Sequence, residues 1–307
     1  MSSTKISLPM LMRSGKLQLP IVDNKDMKCS PDKPFENGSC YPLEVLIKMA
    51  DAYNQYCKDN ELDTNISLDD KLESLYPDQY KIYLVNEFAN RFKGSQHDWI
   101  KNKFATYMDG EEKEDIENNT FRPTGPQGKF EWLSTFDINK TLEQYENKYP
   151  DFKFLGAVPI DFNELNEYPF KNMNFDEFKN SGKKRIGVIF NLDRHDQSGS
   201  HWVSLFSDLE NGQIYFSDSY GTKPHKNITD FMKRIHDYLT NNKKISNIDY
   251  RFNRTQHQTG GSECGVYSIN FILRLLKGKM FDHITSKRLT DKQVNKCRAK
   301  YFNNVEI

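Results

Sequence analysis

The chain has no net charge, little cysteine and no long apolar run, and each shortage removes a class of protein. Its 307 residues carry 43 basic and 43 acidic side chains, so no global field points to nucleic acid or to a membrane surface. No stretch approaches eighteen consecutive apolar residues, and the N-terminal "MSSTKISLPMLMRSGK" lacks the apolar core of a signal peptide. No membrane span is expected. The five cysteines (Cys29, Cys40, Cys57, Cys264, Cys297) are odd in number and include no C-x-x-C pair, which speaks against a disulfide framework and a zinc ribbon. The expected setting is reducing and intracellular, without metal or cofactor. No internal repeat or long low-complexity tract interrupts the chain.

What is present divides into zones. Residues 1–40 are polar with several prolines and read as an arm that packs on something larger. Leu43, Val45, Leu46, Met49 and Tyr53 then recur at helical spacing and give one apolar stripe. The acidic run "DGEEKEDIENN" leads into "FRPTGPQGK", a Pro/Gly-rich breaker. A boundary near residue 120 is expected, separating a mostly helical arm domain (1–120) from a second domain (121–307).

The second zone alternates strands and helices. "WLSTFDINKTLEQYENKY" reads as a helix entered through a cap-rich turn, and "RIGVIFNL" as a buried strand. "HWVSLFSDL", "ENGQ" and "IYFSDSYG" form a hairpin signal, because Asn-Gly sits between two apolar-alternating runs. "NITDFMKRIHDYLTNNK" puts Ile228, Phe231, Met232, Ile235, Tyr238 and Leu239 on one helical face, and "IDYRFNR" alternates like a strand with Ile248, Tyr250 and Phe252 on its apolar side.

A two-residue turn at Asn211-Gly212 pairs Glu210 with Gln213 and sets Asp218 opposite Leu205, on the same face as His201. A shift of one residue on each strand brings the two closer. A carboxylate beside an imidazole fixes its tautomer and stabilises the imidazolium. A surface histidine and a turn aspartate that never meet is the competing reading of the same residues.

Cys264 opens "CGVYSINFILRLLKG", a helix apolar on nearly every side with a glycine stop at Gly278. A free cysteine by itself is more often core. At a helix N-terminus, however, the dipole and unpaired N–H groups favour thiolate, and the same N–H groups can hold an oxyanion. Gln258 in the preceding Gly-rich loop is a candidate second donor, with Gln256 as its competitor. His195, His225 and His257 read as surface residues. A metal site from Cys264, His257 and His201 has no close-spaced ligand pair behind it.

In this order, "HWV…F", "FSDS" and "Q-x5-C-G-x-Y" resemble the adenain / ubiquitin-like-protein (SUMO) protease superfamily of cysteine peptidases. "WLSTFDINKTLEQY" is similar to the entry helix of that catalytic domain. "FRPTGP" and the helical arm resemble the polyprotein-processing proteases of African swine fever virus and related large DNA viruses. The core likeness covers residues 121–300.

The resemblance implies a papain-like active site on an α+β core. Cys264 would be the nucleophile, His201 the general base and acid, Asp218 the orienting carboxylate and Gln258 the oxyanion donor. Trp202, Trp132 and Gly265 would contact substrate, with Trp202 walling a channel narrow enough to select glycine. Viral members can place an amide where this chain has Asp218. The implied partner is a protein cut after Gly-Gly-X or Ala-Gly-X sites, as in a viral polyprotein during virion maturation, in the host cytoplasm (viral factory) and the virion. A deconjugase for SUMO or ubiquitin-like proteins is the alternative enzyme, and a non-catalytic scaffold for Gly-Gly tails the alternative outside enzymes.

Overall fold

The apolar stripe that begins at Leu43 becomes the core of a helical unit. The computed structural model describes residues 8–15, 17–128, 130–168, 170–242 and 245–305; residues 1–7 of the arm and the Leu11 side chain lie outside them. The chain divides into two compact units, 1–122 and 123–307. In the first are α1 (Leu8–Ser14), α2 (Leu43–Asp59), α3 (Asp70–Leu75), α4 (Pro77–Arg91) and α5 (Gly110–Asn119). Leu46, Met49 and Tyr53 of α2 are buried against Leu84, Val85 and Phe88 of α4, with Leu43 and Val45 half-buried beside them. Phe88 stacks on Trp99 at 5.4 Å. Asp69 caps α3 and Pro77 opens α4 at its first turn, where the missing proline N–H costs nothing.

Cys29 and Cys40 form a disulfide, contrary to the expectation from cysteine count. An odd total conceals one local pair: Glu36 and Ser39 bridge in a tight turn that brings the chain back on itself. Asn37 and Gly38 accept positive φ there, at 53° and 85°. The remaining three cysteines are free. Cys57 of α2 is wholly buried.

The second unit is α+β. Its elements are α6 (Thr135–Lys148), β1 (Phe152–Pro159), α7 (Phe175–Asn180), β2 (Arg185–Asn191), β3 (Trp202–Asp208), β4 (Gln213–Ser217), α8 (Lys226–Asn241), β5 (Asp249–Phe252) and α9 (Cys264–Leu276). Three short helices follow: α10 (Phe281–Thr285), α11 (Asp291–Asn295) and α12 (Arg298–Tyr301). Ser134 and Asp137 form a capping box on α6, which explains the helix start after "WL". The strands lie in the order β1-β2-β3-β4-β5. The outer pairs, β1 with β2 and β4 with β5, are parallel, and the inner pairs are antiparallel.

Both faces of the sheet are covered. Phe152, Ile189, Trp202 and Phe206 pack with Ile269 and Ile272 of α9. Val188, Val203, Leu205 and Phe216 pack with Phe231, Met232 and Ile235 of α8. At about 1.5–3 kcal/mol for each large apolar side chain removed from water, these two layers make β3, buried at every residue, the rigid centre of the unit. Strand β1 escaped the sequence pattern because its register shifts between Phe154 and Ala157, with Gly156 at φ 109°, and a bulge breaks the two-residue period. At β5, Ile248 just before the strand and Phe252 pack inward, and Tyr250 on the same face meets His236 of α8 edge-on at 6.1 Å while staying partly exposed.

The hairpin departs from the two-residue turn. Asp208 pairs with Gln213 and Ser204 with Ser217, leaving a four-residue connection. The Asp208 carboxylate accepts from the Glu210 and Asn211 amides and from Asn211 Nδ2, so it stabilises the longer turn. Continued in this register, Asp218 falls opposite Val203, closer to His201 than the short turn would have set it.

Candidate active site

Antiparallel pairing sets the start of β3 beside the end of β4, and each end carries a titratable side chain. His201 immediately precedes β3 and Asp218 immediately follows β4. His201 Nε2 lies 2.7 Å from Asp218 Oδ1. Asp218 also accepts from the Tyr220 amide at 2.8 Å, which turns the chain after β4. Cys264, the first residue of α9, lies near enough to interact with the same ring. Burial works against a charged ring, but the hydrogen bond to Asp218 and the neighbouring Cys264 push the His201 pKa up to about 9.

Helix α9 is held in place near its N-terminal end. Ser268 Oγ donates to the Trp202 carbonyl at 3.2 Å, and Trp202 Nε1 donates to the Leu133 carbonyl at 2.9 Å. A β-carbon on Gly265 would lie 3.0 Å from that of Leu133, so the glycine lets the helix start approach the segment before α6. No side chain caps α9, which leaves first-turn N–H groups available near Cys264. At the other end Gly278 adopts φ 76° and closes the helix.

Alongside runs a cleft of about 460 Å³ lined by Trp132, Leu133, Tyr168, Asn191, His195 and Trp202, among others. Trp202 is buried in its wall, and Trp132 stands 45 % exposed at its lip. Gly265 touches Leu133, one residue from Trp132, and is itself buried.

The profile of the Ulp1 protease family's C-terminal catalytic domain matches residues 138–307, more than half of the chain. The chain belongs to the Ulp1 protease family. It is a cysteine protease of this type. A relative from Acanthamoeba polyphaga mimivirus, which carries a thiol-protease name, is 40% identical over 284 residues, covering 90% of this chain and 93% of the relative. A SUMO-1 cysteine protease of African swine fever virus is 26% identical over 199 residues, 59% of this chain and 71% of that one. The crystal structure of an African swine fever virus protease superposes with a TM-score of 0.61 at 18% identity, over 90% of this chain and 95% of that chain. The fold is therefore shared across both the helical N-terminal region and the mixed sheet.

The Ulp1-type site has a second layer that sequence reading had only partly found. Gln258 is fully buried; its Oε1 accepts from Ser219 Oγ at 2.6 Å and its Nε2 donates to the Gly260 carbonyl at 2.9 Å. A primary amide has two N–H donors, so one remains beyond the Gly260 bond. Gln256 is exposed and its Nε2 donates to the Gln258 carbonyl at 3.0 Å. The amides of His257 and Gln258 both donate to the Ser219 carbonyl, and Asn253 Nδ2 donates to the Asp218 carbonyl. The loop before α9 is thereby fastened to the residues just after Asp218.

Tyr220 was missed altogether. Its ring stacks on His201 at 4.8 Å, and its hydroxyl donates to the Gly260 carbonyl at 2.9 Å. The signal was the glycine in "DSYG": Gly221 has φ 77°, and a β-carbon there would meet the Arg254 carbonyl oxygen at 2.9 Å.

The other histidines are placed elsewhere. His257 is buried, not at the surface as expected, because its Nδ1 accepts from the Leu289 amide. Burial with nearby Arg274 and Arg288 lowers its pKa. His225 caps α8. His195 forms a second His–Asp pair, Nδ1 to Asp161 Oδ2 at 2.6 Å. Asp161 also accepts from the His195 amide and pairs with Arg194. Burial opposes its charge, yet the His195 bonds and Arg194 hold its carboxyl below the usual range. That pair secures the loop leading to His201. Among the described residues no group of three His, Cys, Asp or Glu side chains could hold a metal ion, and no helix is long and apolar enough to cross a membrane.

Proposed function

We propose that the protein is an endopeptidase that cuts polyproteins after small residues, at Gly-Gly-X-type sites, through a Cys264-His201-Asp218 triad with Gln258 as oxyanion donor. The observation that carries this reading is the His201 ring hydrogen-bonded to Asp218 and set beside Cys264, with the sulfur at the mouth of a buried helix. With the thiol proton held on His201, Sγ attacks the scissile carbonyl carbon. The C–S bond forms and the carbonyl electron pair moves to oxygen, toward the α9 N–H groups and the spare N–H of Gln258. Collapse breaks the C–N bond, and the His201 proton leaves with the amine. Water, deprotonated by His201, then attacks the thioester; the C–S bond breaks and releases the acid. Asp218 holds the ring's tautomer throughout.

The preference for glycine is supported by the two tryptophans of the cleft, Trp132 and Trp202, and by the close Gly265–Leu133 contact beside it. A chain without side chains passes where others collide. Processing of structural polyproteins in the viral factory and the particle follows from the resemblance to the proteases of large DNA viruses. The second reading is removal of SUMO or a ubiquitin-like protein, favoured by the SUMO-1 protease name of the African swine fever virus relative.

Purified protein offered a fluorogenic Gly-Gly peptide series, a viral polyprotein fragment, and SUMO- and ubiquitin-fluorophore conjugates will cut the polyprotein fragment fastest, and Cys264→Ala will cut none. Equal inertness of wild type and Cys264→Ala on all of them overturns the protease site. Turnover of SUMO conjugates far above the fragment moves the assignment to deconjugation.

A further inference from the structure

Asp291, at the start of α11, lies outside the expected site yet touches the loop that bears Gln258. Its Oδ2 accepts from Thr259 Oγ1 at 2.6 Å, from the Gly260 amide at 2.9 Å and from the Thr259 amide at 3.1 Å. Its Oδ1 accepts from the Tyr267 hydroxyl at 2.9 Å. Tyr267 belongs to the first turn of α9, three residues after Cys264, and its single hydroxyl proton is shared between Asp291 and the Leu289 carbonyl. One carboxylate thus joins the nucleophile's helix to two consecutive residues of the preceding loop.

The residue it grips is the one on which the site converges. The Gly260 carbonyl accepts from Gln258 Nε2 and from Tyr220, the tyrosine stacked on His201. If Gly260 moves, the Tyr220 hydroxyl loses its partner, and the Gln258 amide keeps only the bond from Ser219 to its oxygen, so its nitrogen is no longer held. Four donors converge on one partly exposed carboxylate, and hydrogen bonds to a charged acceptor are about twice as strong as neutral ones. A hydrogen-bond donor preorganised for the transition state stabilises it only if its own position is held beforehand.

We propose that Asp291 is a positioning residue: by holding Thr259 and Gly260 against Tyr267, it sets the Gln258 amide at the oxyanion position beside Cys264. The proposal rests on the assignment of Gln258 as oxyanion donor. It assigns Asp291 no contact with substrate and no proton transfer.

The test compares wild type, Asp291→Ala and Asp291→Asn in kcat, KM, inhibition by a peptide aldehyde and alkylation of Cys264 by iodoacetamide. Aldehyde capture creates an oxyanion, whereas alkylation is a displacement at carbon that creates none. Asp291→Ala should lower kcat by about tenfold or more, short of the about hundred- to thousandfold loss of a whole donor. Its KM should stay within about twofold, aldehyde affinity should fall in parallel with kcat, and alkylation should stay within about twofold. Asp291→Asn should recover most of the loss, since its Oδ1 can serve the loop while Nδ2 donates to the Tyr267 hydroxyl. Amide exchange at Gly260 gives a readout without substrate: faster in Asp291→Ala, close to wild type in Asp291→Asn.

Unchanged kcat in Asp291→Ala, an alkylation rate that falls as far as kcat, or unaltered exchange at Gly260 each overturns the proposal. Should wild type spare Gly-Gly peptides but cut another protein, the glycine reading fails and the same comparison is run on that substrate. If Gln258→Ala leaves aldehyde affinity intact while Asp291→Ala weakens it, the oxyanion assignment of Gln258 fails, and with it this role for Asp291.

Discussion

His201 Nε2 meets Asp218 Oδ1 at 2.7 Å across the start of β3 and the end of β4, and Cys264 lies beside the same ring. The pairing has a measurable pH signature. His201 is raised from 6.5 to about 9, so the charged ring contributes stability that is complete below pH 6.5 and is lost as pH rises through about 9. Asp218→Asn keeps an acceptor and removes the charge. The alkaline limb of its kcat/KM profile should move down by about one pH unit or more. Turnover should persist at about a tenth of wild type, while Asp218→Ala falls about a hundredfold. A profile superimposable on wild type would show that Asp218 does not set the state of His201.

Tyr220 covers His201 and ties it to Gly260. An aromatic stack contributes about 1 kcal/mol, so Tyr220→Ala should lower kcat at least about fivefold through a less ordered ring. Tyr220→Phe keeps the stack, loses only the hydroxyl bond, and should fall between that variant and wild type. Steady-state kinetics of the pair decide it, and equal losses in Phe and Ala would assign the effect to the hydroxyl instead of the ring.

Gly221 is required by backbone geometry, with φ 77° and the Arg254 carbonyl 2.9 Å from any β-carbon. The close atoms belong to backbone and cannot swing aside as a side-chain end would. Gly221→Ala should destabilise the protein by about 1–3 kcal/mol, read from urea unfolding, and should reduce activity because the same turn carries Asp218 and Tyr220. A wild-type unfolding midpoint would contradict the packing described.

Cys29 and Cys40, separated by 11 residues, close a short loop whose restriction stabilises the folded state by about 3 kcal/mol in the chain-entropy account. Thiol titration of denatured, unreduced protein should find three reactive thiols, the free Cys57, Cys264 and Cys297. Finding five would remove the disulfide. Cys40→Ser should lower the unfolding midpoint and leave peptide turnover within about twofold.

Much of the site was legible beforehand because it is written in chain order and local period. The helix from Cys264 follows from its apolar run and the stop at Gly278, and the strands flanking Asn211-Gly212 follow from alternation. The face of α8 built from Ile228, Phe231, Met232, Ile235 and Leu239 is buried as the 3.6-residue spacing requires. The hairpin takes the shifted one of the two registers the sequence allows, because a single carboxylate, Asp208, stabilises a longer turn than Asn-Gly alone favours.

The order His201, Asp218, Gln258, Cys264, the elements that carry them and the helical character of the region before residue 122 all follow from the chain of residues alone. Which partners these side chains find is settled only by packing: Tyr220 over His201, Ser219 on Gln258, Asp291 on Thr259 and Gly260, and Cys29 with Cys40. The reason is physical. Periodicity and turn chemistry act over a few residues, whereas a hydrogen bond such as that between Asp291 and Gly260, 31 residues apart, exists only once helices have packed and brought distant donors to one carboxylate.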